Sequence, residues 1–414
     1  MSRRSAVAAT LWAGFVLVHL FVAWLGWVLP SQPMGDVVLV YQPWSASALN
    51  GAAVVGITEP WVYPQIALVP MTIAQLLSLP LSAALGAEAA YLLAWATLVT
   101  VCDLLAFAVL VGRGRRVPRL VAGGFWTAAV LLLGPVGMYR IDAIVVPLAV
   151  VGGLWLARRP VLGTVLLTVG AWIKIWPGAM VLAAVVTLRA RLRVLWAAVG
   201  VTTVIVLTLL LLGAGGYLFG FLGEQTGRGL QIEAVAATPF LWMVPAGTAV
   251  IEYSFDILTF QIAAPGVDVV AALLTPVMVI VVAAVVVLGA WRMRAGADWQ
   301  RVLPPLALSL VVALIVTNKV GSPQFQTWLF APVVLWIVLD RARAAVPASI
   351  VLALSALTFV VYPVLYDALL LAQWWPILML TARNALLLVL FAVGIRAIVR
   401  VPAVHTPPRH LTPR

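Results

Sequence analysis

Long apolar runs, separated mainly by short connections that carry most of the cations, constrain this chain more than any other sequence feature. Hydrophobic residues make up 64% of the 414 residues and charged residues only 9%, whereas about a quarter of the residues in soluble globular proteins are charged. This composition excludes a soluble domain. The sequence therefore predicts an all-α fold, a polytopic bundle of transmembrane helices.

The formal net charge of +12 would suit a nucleic-acid partner, but the cations are confined to short loops between apolar runs. That distribution reports membrane topology, because cytoplasmic loops are enriched in Lys and Arg. We expect no nucleic-acid partner. The clusters predicted to be cytoplasmic are Arg113, Arg115, Arg116 and Arg119; Arg158 and Arg159; Arg189, Arg191 and Arg193; Arg292, Arg294 and Arg301; Arg341 and Arg343; and Arg396, Arg400, Arg409 and Arg414.

If every cluster is cytoplasmic, an even number of crossings separates each neighbouring pair, which predicts about 12 crossings. We read the first run as a retained helix and place the apolar stretch 65–88 at the outer surface, because a further crossing there would move the Arg113–Arg119 cluster outside. Residues 1–400 then form one domain, and 401–414 a disordered cytoplasmic tail. The predicted crossings lie at roughly 7–29, 91–111, 119–134, 142–157, 161–173, 175–188, 194–213, 267–290, 303–317, 325–339, 347–365 and 376–396.

The acids show the reverse distribution, and this points to the outer face as the place for chemistry. Outer cations are few: Arg140, Lys174, Arg228, Lys319 and Arg383. Two long outer segments, 30–64 and 214–266, are also typical of functional loops. Ten of the 13 acids lie outside or at an outer helix end: Asp36, Glu59, Glu88, Asp142, Glu224, Glu233, Glu252, Asp256, Asp268 and Asp367.

Metal and nucleotide chemistry lack the residues that they need. The chain has one cysteine, Cys102, and three histidines, His19, His405 and His410, of which the last two lie in the tail. Walker A, GxGxxG, GxSxG, HExxH and DxD motifs are missing. We therefore expect no metal and no cofactor. If a sugar is transferred here, a lipid monophosphate donor is the natural alternative to a nucleotide sugar.

The two lysines are the most informative outer residues. Lys174 lies in Ile173-Lys174-Ile175-Trp176-Pro177 and Lys319 in Asn318-Lys319-Val320. Cations at outer helix ends contradict the positive-inside trend, so each is expected to have an anionic partner, and a compact ammonium suits a phosphate. A salt bridge to an outer acid is the alternative.

Other outer residues offer carboxylates and aromatic rings. Asp36 follows the first helix, where it could face a cavity or merely cap a turn. Arg140 and Asp142 could pair with each other. Arg383, near the outer end of the last helix, could reach a phosphate. The segment from Glu59 to Pro64 is rich in aromatic residues that could contact a sugar or form an interfacial belt.

These motifs, in this order, resemble the GT-C glycosyltransferases that use polyprenol- or dolichol-phosphate-mannose. Ile173-Lys174-Ile175-Trp176-Pro177 is similar to the lysine, aromatic and proline segment of the catalytic subunit family of GPI mannosyltransferase I. Asn318-Lys319-Val320, followed by Gln324, Phe325 and Trp328, resembles a second segment of that family, and Asp36 with Tyr41 and Pro60-Trp61-Val62-Tyr63-Pro64 resembles its first outer loop. A lone Asp36 departs from the paired acids of many relatives.

The resemblance implies a GT-C type bundle and an inverting, metal-independent mannosyltransferase of the bacterial plasma membrane, with its active site on the outer side. Asp36 would be the general base, and Lys174, Lys319, Arg140 and Arg383 would bind the donor phosphate. The partners would be a polyprenyl-phosphate-sugar donor, a glycolipid or glycan acceptor and membrane lipid. Sugar or acceptor contacts would come from Glu59, Trp61, Tyr63, Asp142 and Gln324.

Three other hypotheses remain open from the sequence. The same machinery could use a polyprenyl-phospho-arabinose donor. A lipid-linked sugar transporter or flippase is a second hypothesis, favoured by the intramembrane residues Asp103 and His19. The third is an assembly subunit whose outer charges form an interface.

Overall fold

A computed structural model describes residues 3–29, 31–114, 116–255 and 259–402. Arg115, Asp256 and most of the predicted tail, 403–414, lie outside the described residues. The helices are α1 (Arg3–Val28), α2 (Gln42–Leu49), α3 (Leu68–Leu85), α4 (Ala87–Val111), α5 (Val117–Leu133), α6 (Asp142–Leu156), α7 (Pro160–Ala171), α8 (Pro177–Thr187), α9 (Arg191–Leu211), α10 (Gly220–Thr226), α11 (Thr238–Leu241), α12 (Val267–Arg294), α13 (Trp299–Val316), α14 (Phe330–Phe359), α15 (Tyr366–Leu370) and α16 (Trp374–Val399).

The prediction of a polytopic helical protein is confirmed. Within the described ranges, nine helical segments are long and apolar enough to cross a membrane, and α6, α7 and α8 are shorter apolar helices. Large apolar side chains on α9 and α12 are exposed, as expected of helices that face lipid. The only strands in the described chain are β1 (Val250–Ser254) and β2 (Thr259–Ala263), an antiparallel hairpin in the second outer segment that the sequence analysis did not predict.

Helix α14 contains two of the predicted crossings. The backbone leaves the helical conformation at Asp340 (φ −148°, ψ 66°), and Arg343 Nε lies 2.7 Å from Asp340 Oδ2. Before this break, Trp328 contacts Asp142, and beyond it Tyr362 contacts Arg140. Both ends of the broken helix thus lie on the Arg140 side, so the chain turns back at Asp340.

The turn between α7 and α8 is recessed. The indole Nε1 of Trp172, at the end of α7, donates to Thr202 Oγ1 at 3.3 Å, and Thr202 lies nine residues before the end of α9 at Leu211. At 1.5 Å per residue this is about 13 Å along the helix. The shortness of α7 and α8 therefore produces a depression in this face, with Lys174 in its floor.

Helix α3 is a single helix despite Pro80, and length and composition alone would let it cross the membrane. Its N-terminal neighbour Gln65 donates to Tyr217 O, beyond the end of α9. At its other end α4 begins, and Trp95 of α4 donates to Met138 O, close to Arg140. Since both ends lie on the Arg140 side, we interpret α3 as lying along that face.

The intramembrane polar residues join α1 to α4. His19 Nε2 lies 3.0 Å from Asp103 Oδ2, and His19 Nδ1 donates to Phe15 O at 2.8 Å. Both side chains are buried. The contact joins the two helices inside the bundle, while Asp103 Oδ1 has no hydrogen-bond partner among the described residues.

Candidate functional site

The α7–α8 turn, the loop after α13 and the second outer segment enclose a cavity of about 320 Å³ on the Arg140 face. Its polar lining includes Tyr63, Lys174, Arg228, Lys319 and Gln324, and Trp328 closes one side. The two lysines of the chain, far apart in sequence, therefore line the same cavity.

Lys174 is held between a ring and a carboxylate. Its Nζ lies 4.3 Å from the centroid of Tyr63 and 4.0 Å from Asp142 Oδ2. Asp142 is fully buried, and its Oδ1 accepts a bond from Trp328 Nε1 at 2.5 Å. Pro177 at the start of α8 fixes the turn, because proline favours the first helical position. Asp142 thus orients Lys174 from behind the cavity wall.

Lys319 lies on a loop that packs against the second outer segment. Its carbonyl oxygen accepts from Gln231 N at 3.0 Å. A Cβ on Gly321 would lie 2.1 Å from the backbone nitrogen of Ala234, so only glycine permits this approach. Burial lowers the pKa of the Lys319 ammonium. A buried ammonium has lost part of its hydration and gains more from an anion than an exposed one does.

Arg228 is a third cation of the cavity, and the sequence analysis did not assign it to the site. Burial lowers its pKa, while the nearby Tyr63 and Glu224 act in the opposite direction. Its outer position, against the positive-inside trend, was the one sequence signal that could have assigned Arg228 to the site, but no motif surrounds it. The cavity therefore concentrates three cations.

Asp36 and Arg140 form a second polar cluster, and neither is among the cavity-lining residues; Asp142, two residues after Arg140, contacts Lys174 and links the cluster to the cavity. Asp36 Oδ2 lies 3.2 Å from Arg140 Nε; the Asp36 side chain is 41% exposed and that of Arg140 only 7%. Arg140 Nη1 donates to Pro33 O and Tyr139 O, and its Nη2 donates to Tyr362 Oη. Every guanidinium nitrogen of Arg140 thus has a protein partner, and the carboxylate of Asp36 remains partly exposed to solvent.

Arg140 and Asp142 do not pair with each other, so that alternative is wrong. Tyr41 Oη accepts from Ile141 N at 3.2 Å, fixing the backbone between them. Arg140 contacts Asp36, whereas Asp142 contacts Lys174. The alternative of a lysine–acid pair describes Lys174 only in part, because its Nζ also lines the cavity.

Arg383 lies away from the cavity lining. It is buried, and its Nη2 donates to Glu233 O at 2.8 Å. The neighbouring Asn384 Nδ2 donates to Thr238 Oγ1 at 2.8 Å. These hydrogen bonds hold the second outer segment against α16. In this structure Arg383 therefore has a structural contact and is not among the residues that line the cavity.

Glu233 is a buried carboxylic acid that the sequence analysis placed on the outer side but gave no role. Burial raises its pKa to about 7, and the charges of Arg383 and Arg140 act against this rise. A lone acid in a long segment gives no local pattern from which such burial could be predicted. Its protonation changes near neutral pH.

The predicted sugar-contacting residues separate into two groups. Tyr63 and Gln324 line the cavity. Trp61 is buried, with its ring edge-on to Trp44 at 5.4 Å and Tyr63 at 5.5 Å. Glu59 is partly exposed and accepts from Gly56 N through its carbonyl oxygen. Trp61 therefore supports Tyr63. Trp61, Glu59 and the fully buried Asp142 are not among the cavity-lining residues.

In the described part of the chain, no group of three or more His, Cys, Asp or Glu side chains is placed to hold a metal ion. No family model, curated protein or solved structure matches the chain.

Proposed function

We propose that the protein is a membrane glycosyltransferase that moves mannose from a polyprenyl-phosphate-mannose donor to a glycolipid or glycan acceptor. The observation that carries this proposal is the convergence of Lys174, Arg228 and Lys319 on one cavity, which Asp142 links to the cluster that holds the half-exposed carboxylate of Asp36. Three cations suit a phosphate leaving group, and the carboxylate suits a hydroxyl nucleophile.

In the proposed reaction an acceptor hydroxyl attacks the anomeric carbon, and its proton passes to Asp36. The bond from that carbon to the phosphate oxygen breaks, and polyprenyl phosphate leaves with the electron pair. Attack opposite the leaving group inverts the anomeric centre. Lys174, Arg228 and Lys319 stabilise the charge that develops on the phosphate.

A lipid donor also fits the walls of the cavity. Leu274 and Met278 line it from α12, a helix that exposes half of its residues. Ile175 and Leu222 at its rim are also exposed. A prenyl chain can therefore lie in the bilayer beside α12 while its phosphate reaches the cations.

The proposal includes a topology of 12 crossings in the plasma membrane with the cavity facing outward. These would be α1, α4 to α9, α12, α13, the two halves of α14, and α16. The turn at Asp340 and the position of α3 along one face support this count.

Transport of a lipid-linked sugar is less well supported. His19 and Asp103, the residues that favoured it, bind each other inside the bundle and are buried. The polar residues of the cavity lie at one face rather than along a pathway through the membrane. A polyprenyl-phospho-arabinose donor would use the same cations and carboxylate, so the donor assay includes it.

The test measures transfer of radiolabelled mannose, and separately arabinose, from the polyprenyl phosphate sugars in membranes with matched amounts of wild type, Asp36→Asn or Glu88→Gln. Asp36→Asn keeps the size of the side chain and removes the base. We expect a loss of roughly 100-fold or more. Glu88 is an exposed acid at the start of α4, so its substitution is the matched control.

Equal transfer by wild type and Asp36→Asn would refute Asp36 as the base. If wild type transfers neither sugar to endogenous acceptors, while reconstituted protein moves a labelled lipid-linked sugar between leaflets, the transporter replaces the transferase.

A further inference from the structure

A second, strongly basic recess lies at the opposite end of the bundle from the outer cavity. Arg113, Arg116, Arg119 and Arg158 line a cavity of about 500 Å³ where α4 ends and α5 begins. The adjoining cavity, of about 470 Å³, shares Arg116, Arg119 and Arg158. The proposed transferase reaction uses none of these residues.

The cations of this basic recess lack acidic partners. Arg116 and Arg158 lie close enough to act electrostatically on Arg119. In the described part of the chain, none of the four arginines forms an ion pair with Asp or Glu, and the nearby acids Asp298 and Asp340 bind Arg301 and Arg343 instead. Like charges in one recess repel each other, so an anion bound among them would be strongly favoured.

One arginine is already held in place by the helix that precedes it. Arg119 Nη1 donates to Val109 O at 2.9 Å, near the end of α4, and its buried Nε has no hydrogen-bond partner among the described residues. The guanidinium is therefore oriented by backbone carbonyls before any ligand binds, which lowers the entropic cost of binding.

The second cavity adds an apolar floor to the cationic rim. Leu154 of α6 and Leu335, Val338 and Leu339 of α14 form this floor, and Gln300 contributes a polar amide. A free phosphate or a nucleotide would leave these apolar side chains unused. A molecule with a phosphate at one end and a hydrocarbon chain at the other would contact both.

We propose that the basic recess is a specific site for one anionic phospholipid at the cytoplasmic leaflet. Its phosphate lies among Arg113, Arg116, Arg119 and Arg158, and an acyl chain lies on Leu154 and Leu335 between α5, α6 and α14. Basic pockets at this depth recognise anionic head groups by the same chemistry. The site is independent of the outer cavity and of the reaction proposed there.

The test compares the purified wild type with Arg113→Gln/Arg116→Gln/Arg158→Gln, which retains Arg119 and its bonds to α4. The control, Arg189→Gln/Arg191→Gln/Arg193→Gln, removes the same charge from exposed side chains before and at the start of α9. Native mass spectrometry counts retained lipids, and melting curves compare added phosphatidylglycerol, phosphatidylcholine and inorganic phosphate.

We expect wild type and control to retain one phosphatidylglycerol and to be stabilised by it more than by phosphatidylcholine. The recess variant should bind it roughly 100-fold more weakly, because it lacks three cations and each of them contributes a similar share of the binding free energy. Equal losses in the two variants would show diffuse surface attraction and overturn the site. Stabilisation by inorganic phosphate alone, equal to that by phosphatidylglycerol, would overturn the lipid assignment.

Discussion

Arg140 acts on the proposed reaction through Asp36, as a positioning residue. Its guanidinium binds Asp36, Pro33 O, Tyr139 O and Tyr362 at once, a geometry that a lysine ammonium cannot reproduce. We expect Arg140→Lys to lower kcat by about 10- to 100-fold with little change in donor KM, because a misplaced base slows chemistry without weakening donor binding.

Arg193→Lys is the matched control, because Arg193 is an exposed residue at the start of α9 and lines neither cavity. It should keep both kcat and donor KM near the wild-type values. A rise in donor KM for Arg140→Lys, with kcat unchanged, would instead place Arg140 at the donor phosphate. Steady-state kinetics with a fixed acceptor separate these results.

Glu233 makes the stability of the protein depend on pH. Burial raises its pKa from 4.5 to about 7, so between these values the folded protein holds a proton that the unfolded chain has released. Stability therefore falls as the pH rises from about 5 to about 7, by roughly 3 kcal/mol, and levels off above the folded pKa. Melting curves of wild type and Glu233→Gln in detergent measure this dependence, and the variant should lack that share of it.

Glu252→Gln is the control for this experiment. Glu252 is an exposed acid of β1 that accepts a bond from Gln261, so its replacement should leave the wild-type pH dependence intact. If Glu233→Gln melts with the same pH dependence as wild type, Glu233 is ionised throughout the range.

At the level of whole helices, glycines set the distance between α6 and α7. A Cβ on Gly163 would lie 2.6 Å from Gly152 O and 2.8 Å from Leu156 N, and backbone atoms cannot move aside as a flexible side chain can. Helix α6 begins at Asp142, and α7 ends just before Lys174. Small residues permit such close helix packing in membranes.

Gly163→Ala should therefore push the two helices apart and disturb the contact of Asp142 with Lys174. We expect a loss of about 1–3 kcal/mol in stability, together with slower transfer. Gly200→Ala in α9 is the control, because nothing lies within 4 Å of its Cβ position, and alanine favours a helix by up to about 1 kcal/mol. Equal melting temperatures for the two variants would show that α6 and α7 tolerate a wider separation.

The helices were largely predictable, because the lengths of the apolar runs and the positions of the arginine clusters can be read directly from the sequence. The break at Asp340 lies between the predicted crossings 325–339 and 347–365. The partners of the charged residues were less predictable. Arg140 and Asp142 are neighbours in sequence, yet their partners come from different parts of the chain, and the burial of Glu233 depends on α16. Such contacts arise only from tertiary packing.

The whole molecule carries its candidate catalytic residues at one face, and the orientation of the bundle decides which side of the membrane that face meets. If α3 lies along the outer surface, Glu59 and Glu88, which flank it, are both outside, while Arg158 and Arg189 are inside. If α3 crosses, Glu59 and Glu88 lie on opposite sides of the membrane, which conflicts with the contacts that place both ends of α3 on the Arg140 side. The lone free cysteine, Cys102, can be replaced by alanine to give a background for single-cysteine labelling.

In that background we expect Glu59→Cys and Glu88→Cys to react with a membrane-impermeant maleimide on intact cells. Arg158→Cys and Arg189→Cys should react only after the membrane is permeabilised, because the reagent carries charge and the bilayer excludes it. Labelling at Glu59 with protection at Glu88 would show that α3 crosses, and it would contradict the position of α3 along one face. Because the cavity lined by Lys174, Arg228 and Lys319 and the basic recess lie at opposite ends of the bundle, labelling at Arg158 with protection at Glu59 and Glu88 would show instead that the whole bundle is inverted.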